Sequence, residues 1–193
     1  VVRSVEDSLT RLGLDGVDVL HIHDPDLDYA TALGEAYPVL ADLRTAGVVR
    51  AVSLGVNHAA VAARFLREAP PPGPDCVLLA GRYTLLDQSG LADLLPLCAQ
   101  RGVAVLAAGV FQAGLLADPR AGAAYGYDSV PAAVLDRVHA VRAACARFDV
   151  PPLAAAIQFP LAHPAVAAVV VGARAPHEIA ESAALLAHPV PAD

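Results

Sequence analysis

Short apolar runs alternate with longer segments of helical period along the whole chain. The run Val17-Asp18-Val19-Leu20-His21-Ile22-His23 lies between Asp15-Gly16 and Asp24-Pro25, and predicts a parallel strand covered on both faces. Before it, Ser4 can cap a short helix that ends near Gly13. After it, Leu33, Tyr37, Leu40 and Arg44 recur at helical spacing and predict a helix around residues 30–46 with one buried apolar stripe. Val48 to Leu54 predicts a second strand, closed by Gly55-Val56-Asn57-His58, and residues 59–68 a helix that runs into the linker Ala69-Pro70-Pro71-Pro72-Gly73-Pro74. Val77 to Ala80 predicts a third strand and residues 88–100 another helix.

A fourth strand, Val103 to Ala107, leads into the glycine-punctuated segment Gly109-Val110-Phe111-Gln112-Ala113-Gly114. A long loop through Tyr125 and Tyr127 precedes a helix with Val134, Val138, Val141 and Cys145 on one face. Pro151 to Leu161 reads as a further helix, Val166 to Val171 as a fifth strand, and Pro176 to Leu186 as a closing helix. Strand–helix units repeated with right-handed crossovers give a parallel sheet. Two architectures fit: an open doubly wound sheet, or the later part of a (β/α)8 barrel, since five strands cannot close a barrel that needs eight and typically ~250 residues.

Composition narrows the classes. The chain of 193 residues is 56% hydrophobic, enough for one domain with a sizeable core. A net charge of −7 argues against nucleic acid and acidic membranes as partners. The apolar region from Leu153 to Ala173 is interrupted by Gln158, Pro160, His163 and Pro164, so no membrane span is expected. Cys76, Cys98 and Cys145 lack CxxC spacing and suit reduced core thiols in a cytoplasmic protein. All 13 basic residues are Arg, with no Lys. The chain opens on Val1 and contains no Met, which leads us to expect further sequence before it.

Chemistry is expected at the carboxyl ends of the strands, where side chains leave the sheet. His21 and His23 share one face of their strand by alternation. Three readings stay open: a His-x-His metal pair joined by His58, two histidines hydrogen-bonded in the interior, or His23 as a polar contact to substrate. Gly172-Ala173-Arg174 opens the last helix and, with the loop Gly109 to Gly114, offers backbone N–H groups suited to a phosphate-bearing ligand.

Taken in order, several segments resemble the aldo-keto reductase family over essentially the whole chain. They are Ser8 to Asp15 with Val17 to His23, Ala51 to Asn57, Gly81 to Asp87, Gly109 to Leu116, and Val171 to Arg174 with Glu178 and Glu181. Their wording is closest to the branch that oxidises fucose and related aldoses. The resemblance implies an α/β fold, an incomplete (β/α)8 TIM barrel comprising about strands 4–8 and forming a single partial domain over residues 1–193. It implies NAD(P)-dependent hydride transfer with a small sugar or carbonyl substrate, and no metal.

Of the family's catalytic Asp, Tyr, Lys and His, only the His has a counterpart, His23, which would orient the substrate oxygen. Without a Lys, and with every tyrosine following His23, the isolated chain is expected to be inactive. Asn57 matches the contact to the nicotinamide amide. Ala80 replaces a common Gln, and Gly109 a common aromatic whose place Phe111 would take. Val110, Phe111, Gly114, Leu115, Gly172, Ala173, Arg174 and Glu178 fall in the cofactor segments, and Glu181 with Ser182 resembles the adenine-contacting pair. A carboxylate at Glu178 favours NAD over NADP, while Arg174 keeps NADP open. Open strand edges predict self-association. The alternatives are a non-catalytic nucleotide-binding module and a metal-dependent barrel hydrolase.

Overall fold

Five strands pair in parallel in the order β1 (Val17–His23), β2 (Val49–Val56), β3 (Cys76–Ala80), β4 (Ala104–Ala108) and β5 (Val166–Val170). The computed structural model describes residues 1–120, 122, 124–125 and 128–191, so Tyr127 of the expected loop lies outside the described residues. Sheet order follows chain order without reversal, and a doubly wound sheet would reverse at a switch point. This is an α/β fold whose sheet is consistent with part of a (β/α)8 barrel. Among the described residues β1 and β5 are its edges, with Val19 37% and Val170 43% exposed.

That edge position corrects the first strand. It is not covered on both faces: Ile22 alone is buried, while Val19 and His23 are exposed. An apolar run shows that a strand has hydrophobic sides, but whether neighbours cover them depends on its place in the sheet. The register sets His21 beside Ser53 and His23 beside Gly55, so both histidines face the side of the sheet away from the helices.

The helix-side residues Val52, Leu54, Val56, Val77, Leu79, Val105 and Ala107 form the main core with the helices that follow each strand. α1 (Val2–Leu12) ends in a left-handed Gly13, as expected. Ser4 is not its cap, because the helix starts at Val2 and Ser4 sits within its first turn, its carbonyl accepting from Ser8 Oγ.

The helix expected over residues 30–46 has an irregular start: one turn at Tyr29–Thr31, a π turn over Ala32–Ala36, then α2 (Tyr37–Thr45). Pro38 carries no N–H to continue the usual ladder, and the Tyr37 N–H donates to Ala32 O instead. Tyr37 and Leu40 are buried as the stripe requires, and Tyr37 meets Phe65 of α3 (Ala59–Glu68) edge to face. Arg44 leaves that core, pairs with Asp75 and donates to Gly73 O at 3.1 Å, fixing the entry to β3.

The helix expected over 88–100 begins as a 3-10 segment, Ser89–Ala92, and becomes α4 only over Leu94–Arg101. Gly90 permits that tight segment, since a Cβ there would lie 2.8 Å from a Leu79 methyl and 3.0 Å from Arg82 O. A second cluster, Leu86, Leu115, Leu116, Val134, Val138 and Ala156, packs α5 (Ala132–Arg147) and α6 (Pro152–Gln158) against the loops after β3 and β4. α7 (Pro176–Ala187) closes the chain and buries no residue fully. Cys76 and Cys98 are buried free thiols and Cys145 is half-buried.

Candidate functional site

The carboxyl ends of β1, β2 and β3 are linked by polar side chains. Asp24 follows β1 with φ 45°, and its N–H donates to Gly55 O at 2.8 Å. That left-handed turn brings the carboxylate across to the next strand end, where Asn57 Nδ2 donates to Asp24 Oδ1 at 3.3 Å. The Asn57 carbonyl accepts from Arg82 Nε at 2.8 Å, and Arg82 in turn donates to Asp87 at 3.0 Å. Burial works against the Asp87 charge, yet hydrogen bonds from Ser89 and Arg82 outweigh it and hold the carboxyl below its usual range.

His23 reaches outward, its side chain 83% exposed, with Nε2 3.6 Å from Asp24 Oδ2. His21 is half-buried, and its Nδ1 has no hydrogen-bond partner among the described residues. Burial is the main cause that lowers its pKa, a Leu54 backbone hydrogen bond opposes this, and His23 adds to it. The metal reading finds no support in this geometry: among the described residues no three His, Cys, Asp or Glu side chains gather where they could hold an ion.

The loops after β4 and β5 enclose a cleft of about 460 Å³ lined by Gly109 to Gly114, Val170 to Gly172, Arg174 and Glu178. Gly109 has φ 68°, which strains any L side chain, and a Cβ there would sit a tight 3.1 Å from the Gly81 nitrogen, so glycine suits the close approach of the two loops. Gln112 and Ala113 both adopt positive φ, 49° and 52°, and turn the chain under the cleft. The Gln112 side chain is buried and its Nε2 donates to Gly81 O at 3.2 Å and Thr84 Oγ1 at 2.9 Å. On the far wall Glu178 Oε2 accepts from the Arg174 N–H at 2.6 Å, and Glu178 Oε1 lies 3.8 Å from the Arg174 guanidinium. The Arg174 N–H holds the Glu178 carboxyl below its ordinary pKa, and the guanidinium charge reinforces it.

Of the residues singled out in the sequence, Val110, Phe111, Gly114, Gly172, Arg174 and Glu178 line this one cleft. Leu115 is buried in the second cluster and offers the cleft no side chain. Ala173 is exposed on the turn between Gly172 and Arg174. Glu181 lies in a separate hollow with Leu153 and His188, and Ser182 is half-buried on α7. His23, the last residue of β1, and Asn57, the first after β2, stand toward the other edge of the sheet. The sequence places Asp24 and Arg82 at strand ends and Gln112 in a glycine-punctuated segment, but assigns none of them a role. Asp24 had one available signal, an acidic residue at a strand end before Pro25; Gln112 had none beyond its place in a glycine-rich segment.

The sequence profile described as the aldo/keto reductase family matches residues 1–193. The chain is 41% identical over 192 residues to a D-threo-aldose 1-dehydrogenase of Pseudomonas sp, covering 98% of this chain and 57% of that protein. It is 38% identical to a pyridoxal 4-dehydrogenase of Microbacterium luteolum, covering 99% of this chain and 58% of the relative. Among solved structures, the holo form of aldo-keto reductase AKR11C1 from Bacillus halodurans superposes with a TM-score of 0.78 at 25% identity, over 98% of this chain and 62% of that one. The chain thus spans a little over half the length of the curated relatives it matches.

Proposed function

Because the chain belongs to the aldo/keto reductase family, we propose that it carries the nucleotide-binding part of an NAD(P)-dependent oxidoreductase acting on an aldose or a related small carbonyl or alcohol. On this reading residues 1–193 are one partial domain, and the five strands are staves of an eight-stranded barrel. The observation that carries it is the single cleft formed by the loops after β4 and β5, the strand ends where such barrels bind phosphate.

The residues present fit a dinucleotide. A volume of about 460 Å³ falls within the range of small-molecule sites. Backbone N–H groups of the Gly109–Gly114 loop and the N-terminal end of α7 suit a pyrophosphate. Arg174 is exposed and only loosely paired, so its guanidinium can turn toward a phosphate. Glu178 stands beside it as a carboxylate, which repels a 2′-phosphate and can accept from a ribose hydroxyl; we therefore favour NAD over NADP. Phe111 would cover the nicotinamide ring, Asn57 would bind its carboxamide, and Glu181 with Ser182 would contact adenine.

When bound, the nucleotide supplies the hydride acceptor. His23, exposed at the end of β1, holds the substrate oxygen by a hydrogen bond. The 193 residues contain no Lys to depress a tyrosine pKa, so the chain by itself binds nucleotide without turning it over. This property also describes the non-catalytic binding module considered above. The open edges at β1 and β5 favour self-association, which sedimentation would detect as species heavier than the monomer.

No helix among the described residues is long and apolar enough to cross a membrane. The free thiols suit a reducing compartment, and we place the protein in the cytoplasm. The test combines calorimetric titration with NAD and a spectrophotometric assay with NAD and a panel of aldoses. Binding without NADH formation is expected. Sustained turnover would contradict the inactivity of the chain, and failure to bind would contradict the nucleotide reading.

A further inference from the structure

We infer that Asp24 is a positioning residue that fixes which way the Asn57 amide faces a bound nicotinamide. The inference rests on the proposed reading of Asn57 as the contact to the nicotinamide carboxamide, and concerns how this chain sets that contact.

The geometry begins in the backbone. Asp24 adopts φ 45°, a conformation open to Asp at modest cost and to Gly at none. Its N–H reaches Gly55 O at 2.8 Å, which extends the β1–β2 ladder one residue past the strand. The carboxylate is thereby held over the end of β2, largely sheltered from solvent, with Oδ1 3.3 Å from Asn57 Nδ2. The Asn57 main chain is fixed from the other side, its carbonyl accepting from Arg82 Nε at 2.8 Å while Arg82 is anchored on Asp87. Neither end of Asn57 is free to drift.

A carboxylate only accepts hydrogen bonds, whereas a side-chain amide has one accepting and one donating end. Asn57 must therefore turn its NH2 toward Asp24. That choice leaves its Oδ1 as the outward acceptor, matched to the N–H of a nicotinamide carboxamide, and one remaining N–H as donor. Without Asp24 the amide can rotate by half a turn and present the wrong end to the ligand. Asp24 Oδ2 also lies 3.6 Å from His23 Nε2, so the same carboxylate adjoins the proposed substrate-binding imidazole.

Two variants and two ligands test this. Asp24→Gly removes the carboxylate while suiting the positive φ, so the turn is kept. Asp24→Asn keeps the reach and can still accept, but it can also donate, so it holds the Asn57 flip less strictly than the carboxylate does. The full chain and both variants are titrated calorimetrically with NAD and with ADP-ribose, which lacks the nicotinamide. Asp24→Gly is expected to weaken NAD about fivefold, the scale of one hydrogen bond, and to leave ADP-ribose within about twofold. Asp24→Asn should stay within about twofold of the unmodified chain for both ligands. Parallel loss of NAD and ADP-ribose in Asp24→Gly would show a merely structural role and overturn the inference, as would unchanged NAD affinity. Should the unmodified chain bind ADP-ribose but gain nothing from the nicotinamide, the Asn57 contact fails and the inference with it. Should it bind neither ligand, the proposed function itself fails.

Discussion

Gln112 Nε2 donates to Thr84 Oγ1 at 2.9 Å, and this bond ties the loop lining the cleft between β4 and β5 to the loop that carries Arg82. Both residues are buried, and Thr84 Oγ1 also accepts the N–H groups of Leu86 and Asp87. Gln112→Ala removes one partner of a buried polar pair and leaves Gly81 O without its side-chain donor. The expected cost is about 1–3 kcal/mol, or roughly 2–12 °C in Tm for a domain of this size. A thermal melt checks it; an unchanged Tm would mean that the two loops are held together by apolar packing alone.

Much of the fold was legible because the strands carry continuous apolar runs and the helices a clear stripe. The bounds of α3 agree with the sequence reading, and β2 to β5 differ from it by one or two residues. The departures have local causes. Pro38 widens one helical turn into a π turn, and a lone proline does not announce which of several irregular turns it will induce. Ser4 is a good cap by type, but the helix found earlier residues to begin on. β1 reads as fully buried because hydrophobicity cannot say whether a strand ends up at an edge.

The cleft was legible from its glycines, since both loops that wall it are glycine-punctuated segments at strand ends. The Asp24–Asn57 link was not, because it joins residues 33 apart in sequence and depends on a left-handed turn that no pattern marks. Gln112 was equally hidden, its role being set by the partners at Gly81 and Thr84 that only folding brings near.

The carboxylate beside Arg174 leads to a prediction on cofactor choice. Glu178→Gln keeps an oxygen to accept from the Arg174 N–H but removes the charge. NADP binding should tighten about fivefold relative to the unmodified chain while NAD changes less than about twofold. Parallel calorimetric titrations of the two nucleotides read this directly. Equal effects on NAD and NADP would remove Glu178 from any part in selecting between them.

Asp87 gives a pH dependence. Its carboxyl is held below the usual range in the folded protein, so its contribution to stability is present above the unfolded value near ~3.9 and is lost as pH falls through the lower folded value. Asp87→Asn should therefore lower Tm clearly at pH 7, and the gap to the unmodified chain should narrow below about pH 4. Melts across that window check the sign. A gap that widens on acidification would mean that the carboxylate is not stabilised by Arg82 and Ser89.

The proposed nucleotide site in the cleft is tested most directly by hydrogen exchange of the full chain with and without saturating NAD. Slower exchange is predicted at the amides of the Gly109–Gly114 loop and across residues 171–178, where the walls of the cleft meet. Exchange in those two loops that NAD leaves unchanged, or protection confined to another part of the molecule, would contradict the assignment.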